Sequence, residues 1–193
     1  MKFSIANNLL SGARLLESPN QSERPADTEI DLLVIHNISL PPGEYGNRCI
    51  DQLFCNQLDA ESHPFFKEIA DLKVSSHLLI DRQGGVTQYV PFDRKAWHAG
   101  ESVYSGRSNC NDFSIGIELE GSDFEAFAEA QYDSLILITN LLLEVYPCLN
   151  LDRIVGHSDI AAGRKTDPGP FFNWAKVKSA LKQAGNRRAK VNI

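Results

Sequence analysis

The run Ile30-Asp31-Leu32-Leu33-Val34-Ile35-His36 constrains the fold more than any other stretch of the chain. Its near-continuous apolar and β-branched residues predict a short strand buried on both faces, and therefore central in a sheet. Ser39 to Asn47, with two prolines and two glycines, must then be a loop. Ser76–Ile80 and Val86–Val90 flank Gln83-Gly84-Gly85 and predict a hairpin. Along Phe113–Glu120 the residues alternate, with Ile115, Ile117 and Leu119 on one face and Gly116, Glu118 and Glu120 on the other. Pro64–Ile69 can open a short helix. Residues 129–146 carry the longest helical pattern, ended by Pro147. Arg153–His157 reads as a short strand, and an amphipathic segment over about 171–184 as the last helix. The irregular alternation predicts an α/β fold, a single-domain mixed β-sheet flanked by helices. The 193 residues fit one generous domain. Within it, residues 1–28 form a lead-in of the same domain, 29–184 its body, and 185–193 a basic C-terminal tail.

The formal charge of −6 excludes a partner held mainly through phosphates, since nucleic-acid binders display a clustered basic face. The one dense basic run, Asn186-Arg187-Arg188-Ala189-Lys190, reads as a solvated tail. No segment approaches the roughly 18 apolar residues needed to cross a bilayer. The first residues are broken by Asn7-Asn8 and Gly12, which denies them the apolar stretch of a signal peptide. A cytoplasmic protein is expected. Cys49, Cys55, Cys110 and Cys148 form no C-x-x-C pair and read as reduced thiols.

Chemistry enters through the histidines. His36 and His157 both stand at the C-terminal ends of predicted strands, where a common cleft can receive them while the strands fix their backbone. The tract His157 to Pro170 leaves a strand and ends in Asp167-Pro168-Gly169-Pro170. Pro168 drives Asp167 into an extended conformation, so that Lys165 and Asp167 project to the same side. The same tract also reads as a plain capped loop, because Asp-Pro is a common turn starter. Two imidazoles and one carboxylate make a catalytic zinc set with a fourth position open to water. Imidazole favours zinc over magnesium. Glu118, beside Gly116 on the polar face of its strand, can act as general base and acid. Glu120 shares that face and rivals it. Lys165 can stabilise an oxyanion.

Four stretches occur here in the order of one family: Val34-Ile35-His36-Asn37, Trp97-His98-Ala99-Gly100, Ser114 to Gly121, and Gly156 through Pro170. The chain resembles the zinc-dependent N-acetylmuramoyl-L-alanine amidases, which include phage lysozyme-like amidases and peptidoglycan recognition proteins. The resemblance is strongest to the cytoplasmic branch that acts on 1,6-anhydromuropeptides, and it runs from about residue 8 to residue 180. It implies the lysozyme-like amidase or peptidoglycan recognition protein fold. It also implies one zinc ion on His36, His157 and Asp167, Glu118 rather than Glu120 as the catalytic carboxylate, and Lys165 as the oxyanion partner. Asn37, Trp97 and Arg107 match positions that line the muropeptide cleft in that branch. The implied reaction cuts the amide between anhydro-N-acetylmuramic acid and L-alanine of the stem peptide during cell-wall recycling. An influence on β-lactamase induction is implied where that circuit exists. The implied partner is the anhydromuropeptide alone, with no nucleic acid, membrane or protein. A binding module without catalysis is the competing expectation, although it would have no use for Glu118 and Lys165.

Overall fold

The computed structural model describes residues 3–191, with side chains described through Asn186. At its centre β5 (Leu32–Ile38) lies between β12 (Ile154–Gly156) and β11 (Ser114–Glu120), all three parallel. Beyond β11 comes β6 (Leu78–Ile80), also parallel, and then β7 (Val86–Gln88), antiparallel to β6. At the edge β3 (Arg14–Leu15) runs parallel to β7 and completes a six-stranded mixed sheet. Small antiparallel pairs surround it: β1 (Ser4–Ala6) with β2 (Leu9–Ser11), β4 (Gln21–Glu23) with β8 (Arg94–Ala96), and β9 (Val103–Tyr104) with β10 (Arg107–Ser108). The helices are α1 (Cys49–Phe54), α2 (Phe66–Ile69), α3 (Glu129–Val145), α4 (His157–Ile160) and α5 (Trp174–Val191). Among the described residues no helix is long and apolar enough to cross a membrane.

The period-2 pattern of the two central strands decides which face carries chemistry. Leu33 and Ile35 of β5 join Ile115, Ile117 and Leu119 of β11 in one core, closed by Leu135, Ile138 and Leu142 of α3 and by Val177 and Leu181 of α5. Burying each such side chain contributes roughly 1.5–3 kcal/mol, so one-residue slippage of either strand would be heavily penalised. On the opposite face Leu32 and Val34 pack with Ala99, Cys110, Phe113 and Ile160. Alternation then places His36, Gly116, Glu118 and Glu120 on that second face. The expected central strand, hairpin, long helix and mixed sheet are all present.

Three local differences matter. His36 is inside its strand rather than at its end, because β5 continues through Asn37 and Ile38 alongside β11. His157 begins a helix instead of ending a strand. The Asp159 carboxylate accepts the Gly156 amide at 2.8 Å, which ties the first turn of α4 back to its start as soon as β12 stops. The lead-in is also more tightly built in than its polar composition suggests. Besides β3 and β4, Arg14 donates twice to the Asp51 carboxylate on α1, at 2.7 and 2.8 Å, and the Tyr89 hydroxyl donates to the same group at 2.6 Å. The last helix runs to Val191, past the expected end near 184, while the side chains of the basic run from Arg187 lie outside the described residues.

Candidate active site

β5 and β11 are in parallel register with His36 opposite Glu118, so the two side chains emerge together on the face away from α3 and α5. β12 lies on the other side of β5 and hands His157 to the same spot from the first position of α4. Asp167 arrives by the loop that follows α4. Its carbonyl accepts the Ser158 amide at 3.0 Å, and the Pro168 ring rests on Gly156, where a Cβ would fall 2.7 Å from Pro168 Cδ. The missing side chain at Gly156 is therefore what lets the loop close onto the sheet.

The result is a convergence of three ligand atoms. His36 Nδ1 lies 3.0 Å from His157 Nδ1, and each lies 3.1 Å from Asp167 Oδ2. Among the described residues these three form a group able to hold a metal ion. The spacing suits one cation: tetrahedral zinc with arms of about 2.0–2.1 Å has its ligand atoms roughly 3.3 Å apart. The chemistry of the donors agrees. His157 Nε2–H donates to the Ala99 carbonyl at 3.0 Å, which leaves Nδ1 as the nitrogen that can ligate. Burial lowers the pKa of His36 to about 4, against the opposing pull of Asp167, so this ring is neutral near pH 7. Burial works to raise Asp167, yet contact with His157 and His36 outweighs it and holds the carboxyl below the usual range. A neutral His36 and an ionised Asp167 are the protonation states that zinc ligation requires of these two groups.

Glu118 stands beside this group with Oε1 4.0 Å from His36 Nδ1. Its Oε2 is buried without a hydrogen-bond partner. Burial, followed by the charge of Asp167, raises its pKa well above the ordinary carboxylate value, although Lys165 pulls the other way. Glu120 is differently occupied: its two oxygens accept the Gly46 amide at 2.6 Å and the Arg82 amide at 3.2 Å, fastening two loops to the sheet end.

A cleft of about 360 Å³ opens over these groups, within the size range of small-molecule sites. His36, His157, Asp167, Glu118 and Lys165 form its polar part, and Leu53, Phe54, Phe65, Ile69, Leu72 and Trp97 supply apolar wall. Asn37 and Trp97 line it as expected, though each is already tied down. Asn37 donates to Asp123 Oδ1 at 2.7 Å, and the Trp97 indole donates to Ser22 Oγ at 3.1 Å. Arg107 is not brought to the cleft. It sits on β10, bonded to Asp31 Oδ2 at 2.6 Å and stacked 3.7 Å over the Phe113 ring. Asp31 also receives Arg153 at 2.7 Å, a three-residue arrangement that no local pattern announces. His77 is structural: its Nδ1 accepts the Gly116 amide and its Nε2 meets the Arg94 carbonyl. The α1 wall of the cleft and the place of His98 beside His36 went unread in the sequence, because a short apolar segment and a lone histidine carry no periodicity; the helix at α2 was expected, its place in the cleft wall was not.

A mixed sheet that delivers two imidazoles, one carboxylate and a buried unpaired glutamate to the floor of a cleft presents the donor set and carboxyl of a hydrolase site able to hold one metal ion. Comparison with known proteins narrows the class. Residues 26–170 match the family model described as N-acetylmuramoyl-L-alanine amidase. The chain belongs to the N-acetylmuramoyl-L-alanine amidase family. It is similar to the 1,6-anhydro-N-acetylmuramyl-L-alanine amidase AmpD of Enterobacter cloacae, with 52% identity over 95% of this chain and 97% of that one. The AmpD of Escherichia coli strain K12 is 56% identical over 88% of this chain and 92% of its own. A crystal structure of a selenomethionine derivative of AmpD superimposes with a TM-score of 0.89 at 51% identity, covering 92% of this chain and 98% of that one.

Proposed function

We propose that this chain is a zinc-dependent hydrolase of 1,6-anhydromuropeptides, cutting the amide between the lactyl group of anhydro-N-acetylmuramic acid and L-alanine of the stem peptide. The observation that carries this reading is the meeting of His36, His157 and Asp167 within 3.1 Å of one another beside the unpartnered Glu118 carboxyl. The names of the AmpD relatives, matched over nearly their whole length, support the substrate class.

His36, His157 and Asp167 would hold one zinc ion, which supplies Lewis acidity toward the scissile carbonyl and toward water. The remaining work falls to the chain. Glu118, desolvated and raised in pKa, takes a proton from the attacking water and returns it to the departing L-alanine nitrogen, so one carboxyl serves as base and then acid. Lys165, lining the same cleft, offers an ammonium to the negative charge that develops on the carbonyl oxygen. The apolar wall from Leu53 to Trp97 excludes water and receives the sugar, whose apolar faces suit an aromatic ring. A place in cytoplasmic peptidoglycan recycling follows from the substrate, and with it an influence on β-lactamase induction where muropeptides are the inducing signal.

The test is direct. Purified protein with zinc is incubated with an anhydromuropeptide, and the products are followed by mass spectrometry. Free stem peptide and free anhydro-N-acetylmuramic acid are expected. Substrate left intact after prolonged exposure would reduce the chain to a binding module.

A further inference from the structure

Behind the two imidazoles of the site runs one loop, Trp97 to Gly100, and it backs both of them. His98 Nδ1 stands 2.9 Å from His36 Nε2, and the Ala99 carbonyl accepts His157 Nε2–H at 3.0 Å. The loop is held from two sides. Asn111 Oδ1 accepts the backbone amides of His98 and Ala99 at 3.1 and 2.8 Å, and Arg164 donates to the carbonyls of Ala99 and Glu101 at 2.7 and 2.6 Å. The His98 ring lies directly against Gly116, where a Cβ would fall 2.5 Å from its Cγ, so β11 leaves room for this ring and no other side chain there. Its far nitrogen, Nε2, is 3.1 Å from Ser114 Oγ.

We propose that His98 is a positioning residue for the metal site: its Nδ1 lone pair accepts His36 Nε2–H while its own Nε2–H is donated to Ser114 Oγ. A neutral imidazole has one donor nitrogen and one acceptor nitrogen, so the direction of one bond fixes the other. With the proton on Nε2, His36 presents a bare Nδ1 to the centre. The reverse direction would place a proton on Nδ1, between His157 Nδ1 and Asp167 Oδ2, and leave no lone pair for a cation. His157 reaches the required tautomer unconditionally, because a carbonyl can only accept. His36 depends on an imidazole that could point either way, and Ser114 Oγ, which can accept, receives the Nε2–H that the required direction leaves on His98. The inference rests on the zinc reading above and extends it to residues outside the proposed ligand set.

Partners of metal-bound histidines typically change metal affinity by 10–100-fold when removed. Zinc affinity of the metal-free full-length chain can be measured by competition with a chromophoric chelator, alongside folding by circular dichroism. His98→Leu should bind zinc about 10–100-fold more weakly. His98→Gln, close to leucine in size but carrying a carbonyl oxygen that can accept His36 Nε2–H, should recover most of that loss. A packing role would make the leucine and glutamine variants alike, and that result, or a leucine variant with wild-type affinity, would overturn the proposal. If His98→Leu does not fold, Ser114→Ala carries the test, since it removes one hydroxyl. It should weaken zinc binding by about 3–10-fold and shift the ¹⁵N signals of His36 away from the Nε2-protonated form; unchanged affinity and unchanged signals would refute it. A wild-type chain that binds no zinc would instead overturn the metal reading itself.

Discussion

Glu118 and Glu120 are chemically identical and share one face of one strand, yet their surroundings separate them. Glu120 uses both oxygens on the amides of Gly46 and Arg82 and is a fastener for loops. Glu118 keeps an oxygen without a partner in a buried place, which raises its pKa and leaves it free to exchange protons. On the proposed mechanism Glu118→Gln should lower kcat by about 10²–10⁴-fold while metal analysis still finds about one zinc per chain. Simultaneous loss of the metal would mean that this carboxyl holds the ion and not the proton. At this scale His36 and His157 were marked as candidates by the apolar runs that precede them, and Lys165 and Asp167 by an Asp-Pro turn, although His36 lies inside its strand and His157 opens a helix. The place of Arg107 was not legible, since its pairing with Asp31 spans the chain and leaves no such mark.

The elements place these side chains through two close approaches. The parallel register of β5 and β11 sets His36 beside Glu118, and the turn from β12 into α4 delivers His157. Gly156 lies at that turn with backbone angles open to any residue, φ −86 and ψ 162, so its role is spatial. Gly156→Ala would drive a methyl into Pro168 Cδ at 2.7 Å and toward the Asp167 carbonyl at 3.4 Å. Neither a proline ring nor a backbone can swing aside, and the loop bearing Asp167 must shift. A destabilisation of about 1–3 kcal/mol is expected in thermal melts, together with weaker zinc binding. Unchanged zinc affinity in a folded variant would show that the ligand loop tolerates displacement. The strand–turn–helix order here was only partly readable, because the Asp159 cap that starts α4 is indistinguishable in sequence from an ordinary polar loop.

For the molecule as a whole, the buried histidines dominate the response to acid. Burial is the main cause that holds His36 at about 4 and both His77 and His98 well below the ordinary value. An unfolded chain takes up those protons near pH ~6.5, whereas the folded metal-free protein does not. Stability is therefore lost as pH falls from about 6.5 toward 4. Glu118, raised by burial, acts in the opposite sense, stabilising at low pH and losing that contribution as pH rises through its ordinary value, but it is one group against three. The urea midpoint of the metal-free protein should accordingly rise between about pH 5 and pH 7. A flat or falling midpoint would mean that these rings are already protonated in the fold.

The amino-acid pattern alone determined the sheet and its faces. Alternation and β-branched runs act over a few residues, and a one-residue slip would turn every core side chain to the wrong side. It also marked the metal-ligand candidates, because the apolar runs before His36 and His157 and the proline after Asp167 constrain backbone locally. Only the tertiary structure decided which glutamate is free, where Arg107 is spent, and that His98 stands behind His36. Those outcomes depend on contacts between residues far apart in the chain, whose distances no local pattern encodes.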